Sequence, residues 1–433
     1  MVSHFIAPSM RQVEYPWGGL LAQAAEAKGA KLNATLGVFL DDDLRIGILP
    51  AVAQRVTFDR SQVTEYAPSH GVLKLRQLWR QRLADLGHVE SNAADKVSNP
   101  IVTAGLTAGL SLAGQLFLEP HASELVVSDP CWPNYELMFQ NIQHATIRPY
   151  PMFTDATPGE KPRLNLLALR TAIDASAKNV RSDLAICVLL NVPHNPTGYS
   201  YTKTEAHELV ALFQSTLDEH PHRRFVVVID DAYSGFVYDE AVRTTSVFRE
   251  LSQLSNRLLA VHLSGVTKEL YAWGLRVGFI TFGAKGLSDA DLKHLEDKAA
   301  AVVRGTLSNV SMLSQQLAIE TLLDPQTHTT HLAYSKMMRS RYERCCAELE
   351  RRDVQQHFVA LPFNSGYFFA LEIRNPNTDA EQLRKALLEK HSVGVVTIGP
   401  RLIRIAFSAV RADTIPSLFD ALVHAAQELL IRT

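Results

Sequence analysis

Apolar residues along this chain fall into short unbroken runs, separated by stretches with helical spacing. Residues 186–190 and 225–229 contain no polar position at all. That is the pattern of strands buried on both faces, not of strands with one wet side. Residues 258–263 and 277–281 are weaker versions of the same run, and 125–127 is a shorter one. Between the two strongest runs, residues 205–217 place apolar side chains at helical intervals, and 110–118 form a second apolar helix. Unbroken apolar strands alternating with helices predict an α/β fold, a mostly parallel sheet covered by helices on both faces. In such sheets ligands gather beyond the carboxyl ends of the strands.

After about residue 310 the pattern changes. Residues 314–323 and 334–351 read as long helices, 366–371 and 402–407 as strands, and 417–431 as a closing amphipathic helix. These belong to a smaller α+β unit. Residues 154–162, rich in Pro, Gly and charge, read as a surface loop.

The chain has 433 residues, too many for one small core. Hydrophobic residues make up 46% and charged ones 20%, the balance of a soluble globular protein. The net charge is -2 and the basic residues are scattered, which argues against nucleic acid as a partner. Cys131, Cys187, Cys345 and Cys346 make no disulfide framework and sit at no metal-ligand spacing, so free thiols and no metal are expected. The first five residues lack a basic segment followed by an apolar run, and no run reaches membrane length. The cytoplasm is the expected compartment.

The polar residues that close the apolar runs carry the chemistry. Lys268 closely follows a strand, flanked by Thr267 and a turn with Gly274 and Gly278. A neutral amine there can form an imine with an aldehyde. Asp230 ends the run 225–229, where a carboxylate must find a partner or face a cavity. It suits a pyridine nitrogen, or else a helix N-cap ahead of Ala232-Tyr233. Tyr233, three residues on, and Asn195 in Asn195-Pro196-Thr197-Gly198 can donate to a ring oxygen, or can simply pack and turn. Arg276 offers a planar fork for a phosphate. Gly105-Leu106-Thr107 opens an apolar helix, and free main-chain N–H groups there suit an anion. Trp132, between Pro130 and Pro133, can stack on a flat ring or pack in the core.

Taken in order, these motifs make the chain resemble a fold-type-I pyridoxal phosphate enzyme of the class I/II aminotransferase family, with the aspartate and aromatic amino acid branch the nearest pattern. The resemblance runs from about Asn33 to the C-terminus. It implies a large domain with a mostly parallel, seven-stranded-type sheet (residues 51–310) and a small α+β domain built from both chain ends (1–50 and 311–433). It implies pyridoxal 5'-phosphate as cofactor, Lys268 as Schiff-base lysine and general base, and Asp230 on the pyridine nitrogen. Asn195 and Tyr233 then bind the ring oxygen and Trp132 stacks on the ring. Arg276, Thr107 and the amides of Gly105 and Leu106 take the phosphate, with Tyr66 reaching in from a neighbouring subunit. Arg404 matches the arginine that grips the substrate α-carboxylate. Residues 36–42 match the family's opening strand, with Gly37 beside the substrate.

Arg304 matches the arginine that meets a distal carboxylate across a homodimer. There Leu307 stands where an aromatic residue is usual, and Val310-Ser311 where prolines follow. Gly265 replaces a serine often found three positions before the lysine, which leaves Ser264 as the candidate phosphate contact. Leu106 and Ala108 occupy positions often held by glycine. The implied reaction moves an amino group from an L-amino acid to a 2-oxo acid, commonly 2-oxoglutarate. Elimination, replacement, cyclisation and decarboxylation on the same scaffold are the alternatives.

Overall fold

The computed structural model describes residues 6–11, 13–14, 16, 18–53, 57–59, 63–89, 97–155 and 162–430. Most of the loop expected at 154–162, and the first five residues of the chain, lie outside them. The described strands are β1 (Leu32–Asn33), β2 (Ile101–Thr103), β3 (Glu124–Asp129), β4 (Thr146–Pro151), β5 (Ile186–Asn191), β6 (Phe225–Asp230), β7 (Leu258–Gly265), β8 (Gly278–Gly283), β9 (Phe358–Ala360), β10 (Phe368–Ile373), β11 (Val393–Gly394), β12 (Val396–Ile398) and β13 (Leu402–Ala406).

The central sheet has seven strands in the order β2-β8-β7-β6-β5-β3-β4. Its neighbours run parallel except at β8, which is antiparallel to both β2 and β7. The α/β expectation is met, and its physical basis is visible: β5, β6 and β8 are buried at every position. Helix Leu106–Phe117 packs on β6, β7 and β8, and helix Leu166–Asn179 on β3, β4 and β5. The helix expected at 205–217 runs from Lys203 to Glu219, because Thr202 and Glu205 cap each other reciprocally at its start.

A second, antiparallel sheet has the order β12-β13-β10-β9. Helix Ile415–Leu430 packs on helices Pro325–Leu349 and Ala380–His391 beside it. The two chain ends meet here: β1 pairs parallel with β11, and Ala406 N–H donates to the Ala34 carbonyl at 2.9 Å. The helix expected from 334 begins at Pro325, since Asp324 caps it and proline suits a first helical position.

One expectation fails. Residues 36–42 are not a strand; they make only an isolated bridge, Leu40 to Ile46. Gly37 in this segment sits against Phe368 and Tyr233, where a Cβ would meet the Phe368 ring at 2.4 Å. Among the described residues no helix is long and apolar enough to cross a membrane.

Candidate active site

Three adjacent parallel strands end side by side and deliver the polar residues. Asn191 and Asp230 are register partners at the ends of β5 and β6, and Asp230 pairs with Leu263 on β7. Asn191 Nδ2 donates to the Asp230 carbonyl at 3.0 Å, and its Oδ1 accepts from the Asn195 N–H at 2.8 Å. That exchange fastens the Asn195 turn to the neighbouring strand. After β7, the short helix Val266–Glu269 presents Lys268. The result is a cavity of about 300 Å³ whose lining includes Gly37, Trp132, Asn195, Asp230, Tyr233, Lys268 and Arg404.

Asp230 is buried, and burial pushes its carboxyl up to about 6, against the opposing pull of Tyr135 and Lys268. The Tyr135 hydroxyl donates to Asp230 Oδ2 at 2.6 Å and the Ala232 N–H to Oδ1 at 3.3 Å. Lys268 is half-buried, with Nζ 4.9 Å from the centre of the Tyr233 ring. Burial brings its amine down to about 8; Asp230 opposes that shift and Arg276 adds to it. An amine in that range is a usable base and nucleophile near neutral pH. Burial also raises the Tyr233 phenol, which therefore stays a donor.

Arg404 is a buried cation with no carboxylate partner among the described residues. Its Nη2 donates to the Thr35 carbonyl at 2.7 Å and its Nη1 to Asn195 Oδ1 at 3.2 Å, while Nε finds no acceptor among the described residues. Its guanidinium lies over the Phe368 ring, 4.3 Å from the centroid. Burial lowers it to about 10. A desolvated guanidinium with an idle N–H is built to receive an anion.

At the other end of the cavity, helix Leu106–Phe117 begins at Gly105 with no side-chain cap. Gly105 has φ 84°, and a Cβ there would lie 2.4 Å from Arg276 Nη2. Glycine thus lets the guanidinium close onto the uncapped N–H groups of the helix start, an arrangement suited to a phosphate. Pyridoxal phosphate fits this donor set: an amine, a buried acid, uncapped amides beside an arginine, and an indole wall at Trp132.

Three expected residues lie elsewhere. Ser264 is buried in the core, where its hydroxyl accepts from the Trp79 indole at 3.0 Å, and it does not line this cavity. In a strand buried on both faces, the sequence does not say which face a serine takes. Tyr66 is 88% exposed and Arg304 donates to Ser308 of its own chain at 2.8 Å; neither lines this cavity. Tyr135, Trp273 and Phe368 do line it and were not singled out. Tyr135 stands three positions after Trp132, and its N–H closes a turn on the Trp132 carbonyl at 3.0 Å; that short spacing was the available signal.

Residues 31–422 match the family model described as aminotransferase class I and II. The chain belongs to this family. Membership makes it a transaminase, an enzyme class that works with pyridoxal phosphate. The relatives agree. The probable N-acetyl-LL-diaminopimelate aminotransferase of Bacillus subtilis is 24% identical, over 97% of this chain and 95% of its own. The mitochondrial aspartate aminotransferase of Schizosaccharomyces pombe is 26% identical over 68% of this chain and 63% of its own. Among solved structures, an aminotransferase from Anaerococcus prevotii superposes with a TM-score of 0.83 at 23% identity, covering 97% of this chain and 99% of that one. Aspartate aminotransferase from Thermus thermophilus with maleate superposes at 0.72 and 18% identity, over 97% and 99%. These likenesses carry the fold of the family.

Proposed function

We propose that this transaminase carries pyridoxal 5'-phosphate on Lys268 and moves an amino group from an L-amino acid to a 2-oxo acid, with 2-oxoglutarate as the acceptor. The observation that carries the reading is the pairing, in one cavity, of a buried acid beside a deprotonatable lysine with a buried arginine that has no carboxylate partner among the described residues. When bound, the cofactor supplies an electron sink for the pair released at the substrate Cα.

The chain's own residues do the rest. Asp230, ionised and held by Tyr135, fixes the proton on the ring nitrogen. Tyr233 and Asn195 Nδ2 donate to the ring oxygen; Asn195 is oriented for this because its Oδ1 already faces Arg404. Arg276, Thr107 and the amides of Gly105 and Leu106 hold the phosphate. Trp132 covers the ring. Arg404 takes the substrate α-carboxylate through its planar guanidinium and so turns the Cα–H bond toward Lys268 Nζ, which removes that proton.

We place Tyr66 and Arg304 in the site of a second subunit. Their exposure on this chain and their absence from its own cavity support that placement, and a two-fold homodimer would form two such shared sites. Four cysteines without a disulfide suit a reducing compartment, the cytoplasm.

The test is a half-reaction screen. Purified protein with cofactor is mixed with each amino acid in turn, and loss of the lysine-linked visible band is followed. Conversion to the amine form of the cofactor, reversed by 2-oxoglutarate, supports transamination and names the donor. Product formed without the amine form points to elimination, replacement or cyclisation instead.

A further inference from the structure

Among the described residues, four charged side chains line the cavity, Asp230, Lys268, Arg276 and Arg404, and each already has a task. The wall at the mouth is of another kind. Leu20 and Leu21, from the start of helix Leu20–Glu26, stand there with Leu36, Val38 and Trp273. Leu21 is 64% exposed and Leu36 43%; the other exposed lining residue is Arg276, at the phosphate end. Single exposed leucines are ordinary on a protein surface. Two on the rim of one cavity, backed by three more apolar side chains, form a patch that a ligand can cover.

The backbone that carries this wall is firmly held. Gln23, buried in the same helix, donates to Thr397 Oγ1 and accepts from the Thr397 N–H, both at 2.9 Å, which fastens the helix to β12. The Ser408 hydroxyl donates to the Val38 carbonyl at 2.8 Å, and the Trp273 indole N–H to the Gly37 carbonyl at 3.3 Å. The same segment starts at Arg404, whose Nη2 donates to the Thr35 carbonyl at 2.7 Å. The residues that follow Thr35 therefore run on from the place assigned to the substrate carboxylate.

We propose that Leu20, Leu21, Leu36, Val38 and Trp273 select the amino donor, and that this donor carries an apolar side chain. The inference rests on Arg404 taking the α-carboxylate and Lys268 the α-proton. With those two groups placed and the nitrogen turned to the cofactor, the side chain is left with the direction of the mouth. There it covers leucine surface otherwise in water, and meets no charged group of this chain. The acceptor's distal carboxylate falls to Arg304, placed above in the site of a second subunit. L-Glutamate, the amino form of that acceptor, is therefore no guide to the wall.

The test uses the full-length protein reconstituted with cofactor, with 2-oxoglutarate as acceptor. L-Leucine and L-asparagine are nearly equal in shape and differ in polarity, and kcat/KM is expected to favour leucine by at least about 30-fold. Leu21→Ser and Leu36→Ser remove exposed apolar surface without opening the core. Each is expected to lower the ratio of kcat/KM for L-leucine over L-alanine by about five- to ten-fold, since the alanine methyl offers little for the rim to cover. A general loss of structure would lower both constants and leave the ratio alone. Binding without turnover gives a second readout. The Kd of 4-methylpentanoate, leucine without its amino group, should rise in step in a tryptophan-fluorescence titration. A preference for L-asparagine or L-aspartate over L-leucine, or a ratio that falls by less than about three-fold in both variants, would overturn the proposal. If no amino acid converts the bound cofactor, the reading of Lys268 and Arg404 has failed, and this inference with it.

Discussion

Replacing Tyr135 with Phe isolates one hydrogen bond with a calculable effect. The phenol is fully enclosed and donates to Asp230 Oδ2 at 2.6 Å; the other donor to that carboxyl, the Ala232 N–H, is longer at 3.3 Å. A hydrogen bond to a buried charged group contributes about 1.5–3 kcal/mol. One pKa unit corresponds to about 1.4 kcal/mol, so its loss should lift Asp230 by about one to two units. Asp230 stands at about 6 with the bond in place. In the variant it would titrate between roughly 7 and 8, neutral over much of the range where the parent is ionised. If the ionised acid recruits the cofactor's ring nitrogen, parent affinity for pyridoxal phosphate falls as pH drops below about 6. In Tyr135→Phe that fall should begin one to two units higher, while the two proteins converge near pH 9. The assay is quenching of tryptophan fluorescence by added cofactor in the apo protein, across pH 5–9. Parallel curves offset by a constant factor, with no shift along the pH axis, would refute the reasoning.

Other perturbations separate the parts of the site. Arg404→Lys keeps a charge but loses the planar fork, so KM for the amino donor should rise by about 30–150-fold, with cofactor affinity unchanged by the same fluorescence titration. Gly105→Ala pushes against the movable tip of Arg276, whereas Gly198→Ala pushes against the Phe368 carbonyl at 1.9 Å. The first should weaken cofactor binding by about ten-fold with a modest fall in Tm. The second should cost more than about 3 kcal/mol in chemical denaturation, since backbone must move as well as φ be strained. His262→Gln tests the buried imidazole. A depressed His contributes stability that is present above its unfolded pKa and lost as pH falls, so the variant should gain on the parent by about 1.4 kcal/mol per pH unit between pH 6 and 4 in urea melts of the apo protein.

The strands of the central sheet were legible because burial on both faces leaves a local trace: residues 186–190 and 225–229 have no polar position. The site was legible in outline for the same reason. Asn191, Asp230 and Lys268 interrupt or follow those runs, and a parallel sheet brings successive carboxyl ends together whatever lies between. Register and facing were not legible. Tyr135 reaches Asp230 across 95 positions, and Arg404 reaches Asn195 across 209. No periodicity encodes such pairings, because they depend on which strands become neighbours. Ser264 shows the same limit at short range: in a strand buried on both sides, alternation cannot say which face meets the cavity, and packing gave that hydroxyl to Trp79. The need for a glycine at position 37 likewise follows from the Phe368 ring that crowds it, a residue more than three hundred positions away. The sequence alone therefore determined which segments would be buried and which chemical groups would stand at their ends. Only the tertiary structure decided which of those groups share a cavity, because that choice is made by long-range packing and not by any local pattern.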